Sequence, residues 1–456
     1  MTKPATVHFV HAIDTEGPLY ESIEASFERL SELFQIDHLP FTRQTLTSLQ
    51  RGEINLGGKE VEIQQLLSGH RINYMDDWSK VDQMLDRVLS EDFRKSRTDS
   101  YGRGWVFNWF CLDHVDFNVN PRRRTTGYHA IHDHYISRLA DHPECIDEIQ
   151  WHFHPMSTYN EAHRCATSFL NSPHLLEVLC RRIIERNFFP SVYRAGFQVE
   201  RPDSNLFLEQ WIPFDISNTS IDPSKEWTDS IDLRNGRSGD WRRAPHDWTP
   251  YHPHHDNWQL RGNCRRWIGR ALNLKNRFAN LDFSDVEKAF AQAAEGRPTL
   301  VGMASHDFRD LMPEVEEVRD MIDLATKKFP NVPFKFCSAT EGFYNSLSLS
   351  NLTQDPISLS LNLDIDPIDD VPNLTIRTKQ GKVFGPQPFL AIETMGKRFI
   401  HDNCDFDVTD GTWFYAFHSD TLPLQDVRRI GVAANDCLGN TFVETIDVQS
   451  LLNRSV

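Results

Sequence analysis

Glu148-Ile149-Gln150-Trp151-His152-Phe153-His154-Pro155 alternates apolar and polar residues and stops at a proline, the pattern of a short strand running into a loop. Residues two apart on a strand share a face, so His152 and His154 project together while Trp151 and Phe153 project the other way. Two imidazoles converging at a strand end suit a divalent metal such as zinc, which favours nitrogen ligands. In a chain with 20 histidines the pair also arises by chance, packed or hydrogen-bonded without an ion. A carboxylate able to share the ion separates the two readings.

That carboxylate is offered near the start of the chain. Val7 to Ile13 reads as a buried strand, and Asp14-Thr15-Glu16-Gly17-Pro18 ends it in a Gly-Pro turn. Asp14 and Glu16 are again two apart and can face one point; an ordinary acidic turn is the bland alternative. In α/β sheets and barrels, sites form at the carboxyl ends of strands. Other apolar runs follow: Gly104 to Leu112, ending in Asp113-His114-Val115-Asp116; Ser191 to Gly196; Phe214 to Ser217; and Pro298 to Ser305, ending in His306-Asp307. Between them, residues 21–37, Val81 to Leu89, Tyr135 to Leu139, Pro173 to Asn187, Ser204 to Gln210, Phe283 to Ala294 and Pro313 to Lys328 carry helical spacing. Residues 38–80 are mixed. Strand and helix alternate to about residue 345, which predicts a parallel α/β architecture.

Three stretches stand apart. Asn120-Pro121-Arg122-Arg123-Arg124 is a basic loop that suits carboxylate or phosphate recognition, or is simply solvated. Residues 218–262 hold Trp227, Trp241, Trp248 and Trp258 among prolines and histidines, which suits either sugar-ring stacking or a loop packed by its own aromatics. After about residue 350 the period changes to two, from Ile357 to Leu363 and in later runs to Ile446, with no helix expected. The chain therefore divides into an α/β domain over 1–349 and an all-β, sandwich-like domain over 350–456.

Lys+Arg 48 against Asp+Glu 65 gives a net charge of -17. This balance speaks against a nucleic-acid partner, which needs a basic surface. No signal-peptide h-region and no bilayer-length apolar run is present, so no membrane span is expected. The eight cysteines are scattered, without a Cys-x-x-Cys pair. A soluble protein in the reducing cytoplasm is the expectation. Nothing in the sequence sets the oligomeric state.

Gathered at one barrel mouth, Asp14, Glu16, His152, His154, Arg194 and His306 would equip metal-assisted hydrolysis. Two histidines and a carboxylate hold the ion and leave a position for water; a second carboxylate takes a proton; a histidine opposite gives one to the leaving amine. Over residues 5 to 345 the chain resembles the NodB-type polysaccharide deacetylases, carbohydrate esterase family four. The resemblance rests on Asp14-Thr15-Glu16-Gly17, Trp151-His152-Phe153-His154-Pro155, Tyr193-Arg194-Ala195-Gly196 and Ser305-His306-Asp307, in the family's order. Trp241-Arg242-Arg243-Ala244-Pro245 through Tyr251-His252-Pro253 is similar to a divergent branch linked to surface-polysaccharide biosynthesis.

The resemblance implies a distorted (β/α)7 barrel that removes N- or O-acetyl groups from a carbohydrate with zinc or a similar ion. It implies metal ligation by His152, His154 and Glu16 or Asp14, with Asp14 or Glu16 as base. Arg194 then orients the carboxylate and His306 is the acid, with Asp307 fixing a tautomer or bracing a loop. The chain departs from the family in the inserted Thr15 and in histidines two rather than four apart. Two other functions stay open: a carbohydrate-binding or scaffolding protein on the same barrel, and an amide hydrolase or amidotransferase acting on a sugar acid.

Overall fold

A computed structural model describes residues 3–155, 168–172, 174–225, 239–276, 278–349, 355–367 and 371–453. The chain forms a closed parallel barrel of seven strands: β1 (Val7–Thr15), β2 (Phe107–Leu112), β3 (Glu148–Phe153), β4 (Val192–Ala195), β5 (Phe214–Asn218), β6 (Trp267–Asn273) and β7 (Thr299–His306). β7 pairs back onto β1 and closes the ring, and a short eighth strand, β8 (Phe334–Phe336), pairs with the first residues of β1. Strands buried on both faces need continuous apolar runs, and every residue of β1 and β2 is buried.

Val10, Ala12, Phe110, Val192, Phe214, Ile216, Ala271 and Leu300 pack together within the barrel. The helix Ala339–Ser346 plugs its N-terminal end, with Phe343 stacked on Phe214 at 4.7 Å between ring centroids. The strand C-termini are left to form the other mouth. β6 escapes the sequence reading because Gly269, Arg270 and Asn273 interrupt its apolar run; the buried Arg270 is paid for by Asp285, Ser220 and the face of Trp248.

Residues 38–80, mixed by pattern, hold helices among irregular stretches. Helices Ile23–Phe34, Arg43–Arg51 and Glu60–Leu66 gather Phe27, Leu30, Leu33, Leu49, Ile63 and Leu66 into a small core of their own, inserted after β1. Ser22 and Thr42 cap the first two of these helices through their side-chain oxygens.

Beyond the barrel, two antiparallel four-stranded sheets face each other. One holds Ser358–Asp364, Asn373–Gln380, Thr412–Ala416 and Asp405–Phe406; the other holds Phe399–Asp402, Phe389–Thr394, Val427–Asn435 and Thr441–Asp447. In Phe389–Thr394, Leu390 and Ile392 enter the core between the sheets, while Phe389 and Ala391 pack on the helix Leu175–Arg186 of the barrel. Gly431 lets that helix approach, since a Cβ there would lie 2.5 Å from Ile183 Cγ2. A short helix, Val448–Leu452, follows the last strand where none was expected. Residues 350–354, at the expected junction, lie outside the described residues.

No helix among the described residues is long and apolar enough to cross a membrane. The seven cysteines among those residues are all free.

Candidate metal centre

Sheet register assembles the site. β1 and β7 pair with Asp14 beside His306, and β3 and β4 pair with His152 beside Arg194. His152 Nδ1 donates to the Arg194 carbonyl at 2.9 Å, which leaves its Nε2 lone pair free. His154 Nε2 lies 2.9 Å from that atom and 3.6 Å from Glu16 Oε1. The three ligand atoms of Glu16, His152 and His154 all fall within 4.8 Å of one another, and all three residues are buried. Ligands on a tetrahedral ion with bonds of ~2.1 Å stand ~3.4 Å apart; 2.9 and 3.6 Å bracket that separation. Burial lowers both imidazoles, His154 well below its ordinary value, with neighbouring cationic groups adding to the effect. Neutral rings with bare nitrogens are what a divalent ion requires, so the donor set fits one.

Asp14 lies outside this trio. Its Oδ1 accepts from Arg194 Nε at 2.5 Å, and its Oδ2 lies 3.9 Å from His306 Nε2. Burial alone would raise the Asp14 carboxyl; the Arg194 guanidinium together with His152 and His306 outweighs it and holds the group below its ordinary value. Glu16, by contrast, pairs with Arg124 through Oε2 and turns Oε1 to His154. Of the two carboxylates that the sequence left interchangeable, the one grouped with the histidines is Glu16. His306 stands 3.8 Å from Glu16 Oε1 and is pushed down to about 3 by burial, so it rests as neutral imidazole.

Asp307 braces the loop rather than the His306 ring. It accepts from the backbone N–H of Glu16 at 3.0 Å and of Gly17 at 2.9 Å, and from the Tyr135 hydroxyl at 2.9 Å. Gly196 has a matching role on the other side, because a Cβ there would stand 2.1 Å from His154 Cδ2. The next two residues, Phe197 and Gln198, both take left-handed backbone at φ 51°, a strained turn for side chains of this size. Trp241 holds that turn by donating from Nε1 to the Gln198 carbonyl at 2.8 Å. Comparison with protein-family models, with curated proteins and with solved structures found no match.

Sugar stacking by the 218–262 tryptophans is corrected by their burial: Trp241, Trp248 and Trp258 are 1%, 2% and 9% exposed, packed inward by the loop's own aromatics and the barrel. Trp227 lies outside the described residues. The aromatic lining of the cavity comes instead from Tyr74, Phe197, Phe278 and Phe308. Two of these directly follow motifs that the sequence did mark, Gly196 and His306-Asp307. His114 also went unassigned. It is fully buried with its ring centroid 6.1 Å from that of His154, its Nδ1 on the Thr125 carbonyl and its Nε2 without a partner among the described residues.

Proposed function

We propose that this protein is a metal-dependent hydrolase that removes an acetyl group from a carbohydrate, with zinc as its ion. The observation that carries this reading is the buried Glu16–His152–His154 group, which opens on the same cavity as Asp14 and His306. A divalent ion held there supplies a polarised carbonyl and an acidified water. The chain's own residues do the rest. Asp14, kept ionised by Arg194, accepts the proton that water loses as its oxygen bonds to the acetyl carbon. His306, 3.9 Å from Asp14 Oδ2, is placed to receive a proton and deliver it to the nitrogen or oxygen that leaves. Phe197, Phe278 and Phe308 offer apolar faces for a sugar ring. The resemblance to NodB-type deacetylases in motif order supports the same reading.

The test is acetate release from a panel of acetylated sugars by protein loaded with zinc and by protein stripped with a chelator, alongside metal analysis of the purified chain. Zinc-dependent acetate release is the expected result. A protein that binds zinc and sugars but releases acetate from none of the panel would instead match a carbohydrate-binding role.

A further inference from the structure

The cavity is far more cationic than the chain that surrounds it. Arg29, Arg122, Arg124, Lys275 and Arg309 line it, against the carboxylates of Asp14 and Glu16, in a protein whose net charge is -17. Arg124 is committed to Glu16 and Lys275 to Glu317. Burial would lower Arg29, but Tyr74, Glu21 and Glu32 outweigh it and raise it, so that arginine is matched; Arg122 is lowered by burial and by Arg29, with Glu21 and Glu28 only partly opposing. Arg29 Nη2 and Arg122 Nε share one carboxylate oxygen, Glu21 Oε2, at 2.9 and 3.3 Å. Arg309 makes no ion pair among the described residues; its guanidinium donates to the Lys275 carbonyl and lies 5.8 Å from the Tyr74 ring. Tyr74 joins the group, accepting from Arg29 Nη1 at 3.3 Å. Burial would raise the Tyr74 phenol, yet Arg29 and Arg309 outweigh it and lower it, as a net positive field does.

Guanidinium charge taken out of water, as at the buried Arg122, is costly unless something pairs with it. Guanidinium donors match carboxylate and phosphate oxygens in charge and in geometry. We propose that the substrate of this site is an anion, a sugar carrying a phosphate or carboxylate, and that Arg122 and Arg309 hold that group while the acetyl end lies on Glu16, His152 and His154. The inference rests on the hydrolase reading for its substrate, but the anion site stands on the cavity lining.

Calorimetric binding to the zinc-loaded protein tests it with three probes on one scaffold: N-acetylglucosamine, its 1-phosphate and its 6-carboxylate. The expected result is that at least one anion binds tenfold or more tighter than the neutral sugar. Arg309→Met and Arg122→Met should each reduce that preference several-fold and leave zinc affinity unchanged. The two anionic arms tell phosphate from carboxylate. Arg309 is half-buried at the cavity edge, so its variant serves should Arg122→Met fail to fold. Equal affinity for all three probes overturns the proposal. So does an anion preference that survives in Arg309→Met and Arg122→Met, since the anion would then sit on the metal. Anion binding with no acetate release would leave this site standing and defeat the hydrolase reading alone.

Discussion

Replacing Gly196 by alanine should disable the metal centre without touching a ligand. The added methyl would lie 2.1 Å from His154 Cδ2, 2.7 Å from His154 Cγ and 2.7 Å from the Phe153 carbonyl oxygen. Carbon atoms in contact need about 3.5 Å, so the ring would have to yield by roughly 1.4 Å. The Phe153 carbonyl belongs to β3 and cannot give way without parting β3 from β4. The imidazole therefore moves, and metal bonds tolerate only about 0.2 Å. A loss of zinc affinity on the order of a hundredfold follows, with an overpacking cost of about 1–3 kcal/mol. Chelator-competition titration measures the first and the urea midpoint the second.

A double-mutant cycle sharpens the test. In His154→Ala the clashing ring is gone, so adding Gly196→Ala should cost less stability than it does in the wild type, with a coupling of about 1 kcal/mol. Wild-type zinc affinity in Gly196→Ala, or strict additivity in the double variant, would refute the reasoning.

Other outcomes follow from the same geometry. His306→Ala should keep zinc by metal analysis and lose turnover by about a hundredfold or more, because His306 lies outside the ligand group, whereas His152→Ala should lose both. Asp307→Ala frees the backbone of Glu16 and Gly17 and should weaken zinc binding about 10–100-fold in the same titration. Glu314, which accepts from Ser305 Oγ, is pushed from 4.5 up to about 7 by burial. The unfolded chain ionises this group first, so its native-state stability is present in full below pH 4.5 and is lost as pH rises through 7. Glu314→Gln should therefore be more stable than the wild type at pH 8, by up to about 3 kcal/mol, and gain nothing at pH 4, as read from urea midpoints at the two values.

What the sequence made legible is what has a period. β1, β3 and β7 announce themselves by apolar runs that end in polar pairs, and β4 by a run that carries Arg194; those residues are the site, because parallel pairing places Asp14 beside His306 and His152 beside Arg194. β6 was missed since a buried arginine reads as surface until its partners are seen. The helices over residues 43–66 were missed because their apolar positions are few and their cover is local. The tryptophans between 241 and 258 were visible, but an aromatic residue in an irregular loop does not state whether it faces inward. The donor from Trp241 to Gln198 is a contact between residues 43 apart.

That division has a physical consequence for how the site is built. The reactive groups sit at strand ends whose positions are set by backbone ladders, with Glu16 further held by Arg124 and by Asp307. The groups that line the rest of the cavity come from elsewhere: Arg29 from the helical insertion, Tyr74 from the segment that leaves it, Arg122 from the loop after β2, and Arg309 from the turn after β7. These segments share no register with the barrel and are tied to one another by Glu21 and Tyr74. Substitutions in them should therefore change which substrate binds while leaving zinc in place, and substitutions at the strand ends should do the reverse. A variant such as Arg309→Met that lost zinc, or one such as Asp307→Ala that altered only the choice among the three sugar probes, would show that the two halves of the cavity are mechanically one.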